Sequence, residues 1–574
     1  MEKKEKTGYP SIDKPWEMHY RKHPVREINT DQTIYELVFH SNKDNLSLPA
    51  IQYMHLTWSF NQLKEKVDCI AGALYNSGIG LGDVVLIGAF NCPETVCLLL
   101  ALNKIGAVSK WFDIRAGEKD IEDYINESKC VAVVAFDVLL PRLYNIIGKI
   151  SVKKIMAINA TSIFATETHP YIKTEHIDMP PDDTFVLFWE YINKTSVEKD
   201  IPHISFDKNR PSIMVQSSGT TGKPKVIVHS DFSVTSAAKK LAWSDLPIEK
   251  GKKVFAPLPP WIAYDLEMAI TYPLSVGAAC ILGPNFEPDA LIPYLGRFTI
   301  AFAAPFHYRY LYEHFDELSD KQQKAFVETT ECLNTGGDKM TIEEYEVFEK
   351  KFQVPVVNGY GNNEGWACLT VNPVRKNCHG SVGIPKYSEI VISYDNEREK
   401  ELSYGEIGEI CFLTDTALLY YENNPLDTQT ILKVHRDGKK WLHTGDLGYI
   451  SEDGFVFLQG RIRRVIIRAG FKISAYTIED KICELPDVRE CVVVEVPDKE
   501  EEHVPMAYIV LKRKNLPQEE AKNKIYDKCK KELKANEIPK YFQFVNELPY
   551  TENGKYDFRF LEQQGAMYVT KMEG

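Results

Sequence analysis

Short apolar runs alternate with stretches whose apolar positions recur every three or four residues, and this alternation organises the first half of the chain. From Thr57, TWSFNQLKEKVDCIAGALYNSGIGLGDVVLIGAFN predicts a helix with Leu63, Val67, Ile70, Ala71 and Leu74 on one face, a Gly-rich stop, and the strand Val84–Ile87. A second helix, Pro93–Ile105, ends at Gly106. Further apolar runs at Val131–Ala135, Lys154–Ile158, Ser212–Val215, Val254–Leu258, Ala279–Leu282 and Thr299–Pro305, with a helical stretch Asp265–Leu274 among them, predict strands covered on both faces.

The pattern then changes. Between Glu406 and Leu458, glycines and short alternating runs (GEIGEICF, LGYISEDGFVFL) predict antiparallel β-structure, a small barrel or sheet at the end of the large domain. Gly460-Arg461-Ile462-Arg463-Arg464 is the candidate boundary. Beyond it a strand near Val465–Ile467, a helix Tyr476–Leu485, strands Cys491–Val496 and Met506–Leu511, a helix Glu519–Leu533 and a strand Tyr541–Val545 make a small α+β domain. The expected architecture is α/β: a large N-terminal domain of layered α/β sheets with a small β-barrel-like part (1–460), a hinge (461–464) and a small C-terminal α+β domain (465–574). The first thirty or so residues are polar, carry Pro10, Pro15 and Pro24, and read as an arm laid on the surface.

Composition narrows the classes. With 574 residues, 44% hydrophobic and 26% charged, the chain is globular and long enough for two or more packed units. A formal charge of −13, without a long basic block, disfavours nucleic acid or an anionic membrane as a partner. MEKKEKTGYP has charges where a secretory signal needs an apolar core, and no apolar run is long enough for stable membrane insertion, so a cytoplasmic protein is expected. Twelve cysteines are scattered without a CxxC pair, which indicates reduced thiols and neither a zinc site nor a disulfide framework.

The candidate chemistry starts at Ser217-Ser218-Gly219-Thr220-Thr221-Gly222-Lys223-Pro224-Lys225. An apolar strand running into hydroxyls, glycines and two lysines offers a polyphosphate its backbone N–H groups and positive charge without side-chain bulk. A Walker loop it is not: only Thr220 and Thr221 separate its glycines, and Pro224 follows Lys223. Asn358-Gly359-Tyr360-Gly361-Asn362-Asn363-Glu364 places a carboxylate, a ligand suited to a hard cation, after an aromatic and two glycines. Asn334-Thr335-Gly336-Gly337-Asp338 reads either as a nucleotide-lining turn or as a plain strand-to-helix turn, with Thr341 capping a helix that begins near Ile342. Trp441-Leu442-His443-Thr444-Gly445-Asp446 sets an aspartate on a tight turn, where it can accept from both hydroxyls of a ribose.

Taken in order, these strings resemble the motifs of the adenylate-forming superfamily of acyl-CoA synthetases, firefly-type luciferases and the adenylation domains of peptide synthetases, over about Thr57 to Phe558. The resemblance implies that Ser217, Ser218, Gly219, Thr221, Gly222, Lys223 and Lys225 grip the phosphates of ATP, with Thr220, Glu364 and Lys555 serving catalysis. It implies that Gly336, Gly337 and Asp338 line the adenine, that Tyr360 stacks on it within the Gly361-Asn362-Asn363 segment, and that Glu364 binds Mg2+. Asn363 stands where the family usually has Thr, its amide able to bond a phosphate oxygen or a metal-bound water. Asp446 and Arg461 would hold the ribose or phosphate, and Gly470 and Lys472, in Ala469-Gly470-Phe471-Lys472-Ile473, would line a pantetheine channel once the mobile small domain swings about Arg463. Leu548-Pro549-Tyr550-Thr551-Glu552-Asn553-Gly554-Lys555 matches the family's terminal Pro-x-x-x-x-Gly-Lys.

The implied reaction is activation of a small-molecule carboxylic acid, as a family-level expectation a medium- or long-chain fatty acid, by ATP, followed by transfer to coenzyme A. Loading of a separate carrier protein and a non-catalytic nucleotide-binding scaffold stand beside it. Trp261, Tyr264, Asp265 and Trp366 are expected at the acid pocket, with Asp265 either holding a substrate ammonium or, as the simpler account, capping a helix.

Overall fold

The computed structural model describes residues 6–159, 179–195, 200–217, 224–283, 286–394, 400–469, 471–513, 517–550 and 556–573. Ser218–Lys223, Gly470 and Thr551–Lys555 therefore lie outside the described residues, as do the side-chain expectations for Arg463 and Lys472.

Two large sheets form the first layers. An eight-stranded sheet runs parallel through Val84–Gly88, Val108–Trp111, Ala132–Phe136, Lys154–Ile158, Phe185–Leu187 and Pro211–Gln216, and ends in antiparallel Val226–Ser230 and Tyr420–Tyr421. A nine-stranded sheet is parallel at its centre, from Pro49–Tyr53 through Ala279–Leu282, Lys253–Ala256, Ile300–Ala303 and Cys332–Thr335 to Val356–Asn362, and antiparallel at both edges. Helix Pro93–Lys104 is buried on every side except at Lys104, which is why PETVCLLLALNK shows no polar face. Helix Phe60–Asn76 is one-sided as predicted, and Ser59 with Gln62 closes a capping box at its start.

A five-stranded antiparallel sheet follows, Ile390–Tyr394, Gly408–Leu413, Lys440–Ile450 and Leu432–Val434 in order, with Val456–Arg461 also paired to Lys440–Ile450. The fourth sheet, within residues 465–544, carries helices Ala475–Cys483 and Gln518–Glu532 on one apolar face and Phe558–Glu573 on the other. Among the described residues no helix is long and apolar enough to cross a membrane, and the twelve cysteines are free thiols.

Two local expectations are corrected. The N-terminal arm is anchored, with Trp16 1% exposed; Gly454 (φ +89°) passes so close that a Cβ there would sit 2.5 Å from the Trp16 nitrogen. The helix around Asp265 starts two residues earlier, at Ala263, so Asp265 is not its N-cap. Its path then widens into a π-turn over Leu266–Thr271 before Tyr272–Val276. Pro273, lacking an N–H, interrupts the ordinary ladder, and Thr271 Oγ1 donates to the Leu266 carbonyl at 2.9 Å across the widened turn.

Candidate active site

The strand Pro211–Gln216 ends at Ser217, where the phosphate loop is expected to begin. The base of that loop is closed reciprocally: Ser217 N donates to the Lys225 carbonyl at 2.9 Å, and Lys225 N donates to Ser217 Oγ at 3.0 Å. Lys225, expected on a phosphate, instead lies 2.5 Å from Asp427 and 5.0 Å above the Tyr421 ring. Its charge is compensated inside the protein.

Three segments meet at Asp446. Strand Val356–Asn362 folds back on Ala367–Val371 so tightly that a Cβ on Gly361 would fall 1.6 Å from the Ala367 carbonyl oxygen, which only glycine permits. This places the Tyr360 hydroxyl on Asp446 Oδ2 at 2.5 Å, while Arg461, paired with Asp446 across two antiparallel strands, donates Nε to Oδ1 at 3.0 Å. Burial, followed by the Asp446 charge, drives the Tyr360 phenol well above its ordinary pKa, and Asp446 in turn raises that of Arg461. A carboxylate has about four lone-pair directions. Tyr360 and Arg461 engage two of them.

Glu364 is positioned by a residue that sequence reasoning missed. Tyr421 donates its hydroxyl to Glu364 Oε1 at 2.8 Å, and Leu418 N donates to the Glu364 carbonyl at 2.7 Å. With one carboxylate oxygen so fixed, Glu364 suits a magnesium ion, which takes one or two carboxylates alongside substrate phosphates. Asn362 Oδ1 accepts from Gly365 N at 2.7 Å and shapes the turn.

Asn363 departs from its expected role. Its Nδ2 donates to the Gln216 carbonyl at 2.7 Å, its Oδ1 accepts from Ala263 N at 3.0 Å, and its own carbonyl accepts from His229 Nε2 at 2.7 Å. The amide thus satisfies an orphan N–H at the start of the Ala263 helix and fixes the strand end just before Ser217. It is a brace between three elements, and its amide faces backbone.

On the acid side, Tyr264 donates to Asn334 Oδ1 at 2.5 Å, and a Cβ on Gly336 would lie 3.5 Å from the same hydroxyl. Gly337 adopts φ +85°, Asp338 follows, and Thr341 caps the next helix in a capping box with Glu344, as the strand-to-helix reading expected. Trp261 is 4% exposed and packs on Phe90 and Phe286, with ring centroids 5.6 and 6.4 Å away.

Asp265 and Trp366, expected to line the pocket, are both fully buried. Asp265 is held inward: Asn91 Nδ2 donates to its Oδ2 at 2.8 Å, and burial holds its pKa well above the usual carboxylate range. Trp366 occupies a left-handed backbone conformation (φ 53°), its indole N–H donates to Glu267 Oε2 at 2.7 Å, and its ring packs on His229 at 4.9 Å. Burial raises Glu267 to about 7 against the hydrogen bonds from Trp366 and Thr271, and lowers His229 to about 4. Sequence alone gave no sign of Glu267 or His229.

The small domain meets the large one at this same edge. Ser474 Oγ donates to the Gln459 carbonyl at 3.1 Å, and Lys339 pairs with Asp480 while its ammonium lies 4.2 Å from the Tyr476 ring centre. Tyr556, the residue after Lys555, feels the charge of Asp338; burial first, then Glu490, Tyr550 and Asp338, raise its pKa.

The family model described as AMP-binding enzyme matches residues 38–421, and that of the AMP-binding enzyme C-terminal domain matches 477–555. The chain belongs to the AMP-binding enzyme family. A long-chain-fatty-acid–CoA ligase of Bacillus subtilis is 25% identical over 94% of this chain and 96% of its own length. A crotonobetaine/carnitine–CoA ligase of Escherichia fergusonii is 26% identical over 87% and 92%. An anthranilate–CoA ligase crystallised with anthranoyl-AMP shares the fold, with a TM-score of 0.79 at 20% identity, over 95% of this chain and 99% of that one. These likenesses support acid activation and CoA ligation in general terms.

Proposed function

We propose that the protein is an AMP-forming acid–CoA ligase acting through two half-reactions. In the first, a carboxylate oxygen of the acid attacks the α-phosphorus of ATP; the bond from that phosphorus to the bridging oxygen breaks, and pyrophosphate leaves. In the second, the CoA thiol, giving its proton to solvent, attacks the acyl carbon, and the acyl C–O bond to AMP breaks. The observation that carries this reading is the convergence of Tyr360 and Arg461, 86 and 15 residues from it in sequence, on the Asp446 carboxylate, beside Glu364 and the Gly336–Asp338 turn.

Tyr360 and Gly336–Asp338 receive the adenine, Asp446 and Arg461 the ribose, and the loop from Ser217 to Lys223 the phosphates, with Thr220 at the reacting end. Glu364, held by Tyr421, is the magnesium ligand; the ion, when bound, offsets phosphate charge. Lys555 neutralises the attacking carboxylate and the α-phosphate, consistent with the position of Tyr556 near Asp338. The domain division is 1–460, 461–464 and 465–574, with Gly470 and Lys472 delivered to the site when the small domain turns. The cytoplasm suits the reaction, which consumes ATP and CoA.

A medium- or long-chain fatty acid has the Bacillus relative in its favour. The fully buried Trp366–Glu267 pair behind Asn363 favours a shorter acid. AMP release measured over short, fatty and aromatic acids, with and without CoA, separates the two. CoA-dependent AMP release with any acid supports the ligase; release dependent on an added carrier protein and indifferent to CoA would replace CoA as the acceptor.

A further inference from the structure

We infer that Glu409 is a positioning residue for ribose recognition, acting through the Thr444–Gly445 turn on Asp446. The inference rests on the reading of Asp446 as the ribose ligand.

Glu409 lies on the strand Gly408–Leu413, whose pairing with Lys440–Ile450 slips between Glu409 and Cys411. The bulge sets the carboxylate beneath the turn that precedes Asp446. It is 1% exposed, and each oxygen is taken: Oε1 accepts from Gly445 N at 3.0 Å, and Oε2 from His443 Nδ1 at 2.8 Å. His443 Nε2 in turn meets His435 Nε2 at 2.8 Å, and the His435 ring is stacked between Tyr394 and Trp441, with centroids 4.5 and 5.2 Å away. Next door, Thr444 Oγ1 donates to the Ile410 carbonyl at 2.7 Å and accepts from Asp446 N at 3.1 Å.

All three residues ahead of Asp446 are therefore tied to Glu409 and Ile410. Gly445 sits at φ +73°, a conformation that the backbone leaves readily unless it is held. A carboxylate buried beneath a turn is costly to desolvate, and the cost is offset only when its oxygens are fully bonded. Here the bonds go to the turn itself. Asp446 is consequently fixed from behind by Glu409 and from the front by Tyr360 and Arg461.

Cys411 Sγ also lies 3.4 Å from His443 Nδ1, so carboxylate, thiol and imidazole come within 4.8 Å of one another, a donor set open to a soft divalent metal. The two N–H bonds to Glu409 favour the hydrogen-bonded arrangement. Metal content is accordingly part of the test.

The experiment is pyrophosphate exchange by the wild-type and Glu409→Gln proteins with ATP and with 2′- and 3′-deoxy-ATP. Glutamine can accept at one site only, so it keeps both contacts only if His443 gives up its Nδ1 proton and reverses its bond, and the charge that holds the turn is lost either way. The expected result is a roughly tenfold fall in kcat/KM for ATP, mostly in KM, with the wild-type penalty for removing a ribose hydroxyl shrinking by a similar factor. A purely structural loss would lower ATP and the deoxy nucleotides alike, and that outcome overturns the inference. So does a stoichiometric metal present in the wild type and absent from Glu409→Gln. No wild-type discrimination between ATP and its deoxy forms would instead strike the ribose reading beneath it. Should Glu409→Gln fail to fold, His443→Gln, which removes the imidazole donor to the same carboxylate, carries the same comparison.

Discussion

The surroundings of Asp446 and those of Trp366 are built on opposite principles. Around Asp446, three segments bring their polar groups together: the Tyr360 hydroxyl and Arg461 Nε donate to its carboxylate, and its backbone N–H donates to the Thr444 hydroxyl. Around Trp366, the polar groups are sealed: Asp265, Glu267 and His229 are fully buried, each with one polar atom bonded to a neighbour and the other without a partner. The first is a preformed polar cluster and the second a closed wall. Under the proposed function, the contrast assigns nucleotide recognition to the Asp446 cluster and acid selection to the packing around Trp366.

The sharpest way to break the comparison is to remove charge from the reacting end. Lys555→Ala is expected to slow adenylation by roughly 10²–10³ in single-turnover assays while sparing thioester formation from supplied acyl-adenylate. Equal loss in both half-reactions would contradict that division. Asp446→Asn should raise the KM for ATP by about 10- to 100-fold, the worth of a hydrogen bond to a charged group, and leave the acid KM unmoved. Trp366→Gly should do the reverse: it frees the left-handed position and empties the indole site, so longer acids gain activity while the KM for ATP stays put. Loss of a buried tryptophan costs about 3–5 kcal/mol, so thermal unfolding must show the variant folded under assay conditions.

Stability against pH offers a finer test of the sealed side. His229 and His307 are lowered by burial to about 4, so below 6.5 the unfolded chain binds protons that the native chain refuses. Their contribution is complete above 6.5 and is lost as the pH falls towards 4. Glu267, raised to about 7, has the opposite sign: the native state keeps a proton that the unfolded chain releases above 4.5, so stability drains as pH climbs from 4.5 to 7. Glu267→Gln should therefore steepen the net rise in Tm between pH 4.5 and 7; an unchanged profile would show that Glu267 titrates normally. Smallest of all, Lys339→Ala removes an exposed ion pair worth about 0–1 kcal/mol and should barely alter Tm, its effect confined to the balance between half-reactions.

Much of the fold was legible because its elements are strongly patterned: the one-faced helix Phe60–Asn76, the apolar strand Val84–Gly88 and the antiparallel pair Val488–Asp498 and Glu502–Leu511 all fall where periodicity puts them. Helix Phe558–Glu573 escapes that reading because Gly565 interrupts its pattern. The glycine is there for close packing, since a Cβ would lie 2.6 Å from Val496 Cγ1. In the site, Tyr360, Asp446 and Arg461 were visible as short strings and do converge, while the roles of Asn363 and Tyr421 depend on partners far along the chain. Asn363 meets Gln216 and Ala263, and Tyr421 meets Glu364, 57 residues away. No local pattern encodes such pairings. Asp265 misled for the same reason: its helix begins at a backbone N–H satisfied by Asn363, not by its own carboxylate.

The most direct test of the account is exchange of labelled pyrophosphate into ATP over a panel of short, fatty, aromatic and amino acids, with CoA left out. The account predicts exchange that depends on one class of carboxylic acid and is abolished in Lys555→Ala. Absence of acid-dependent exchange across the panel, in protein shown to be folded and to bind ATP, would contradict it.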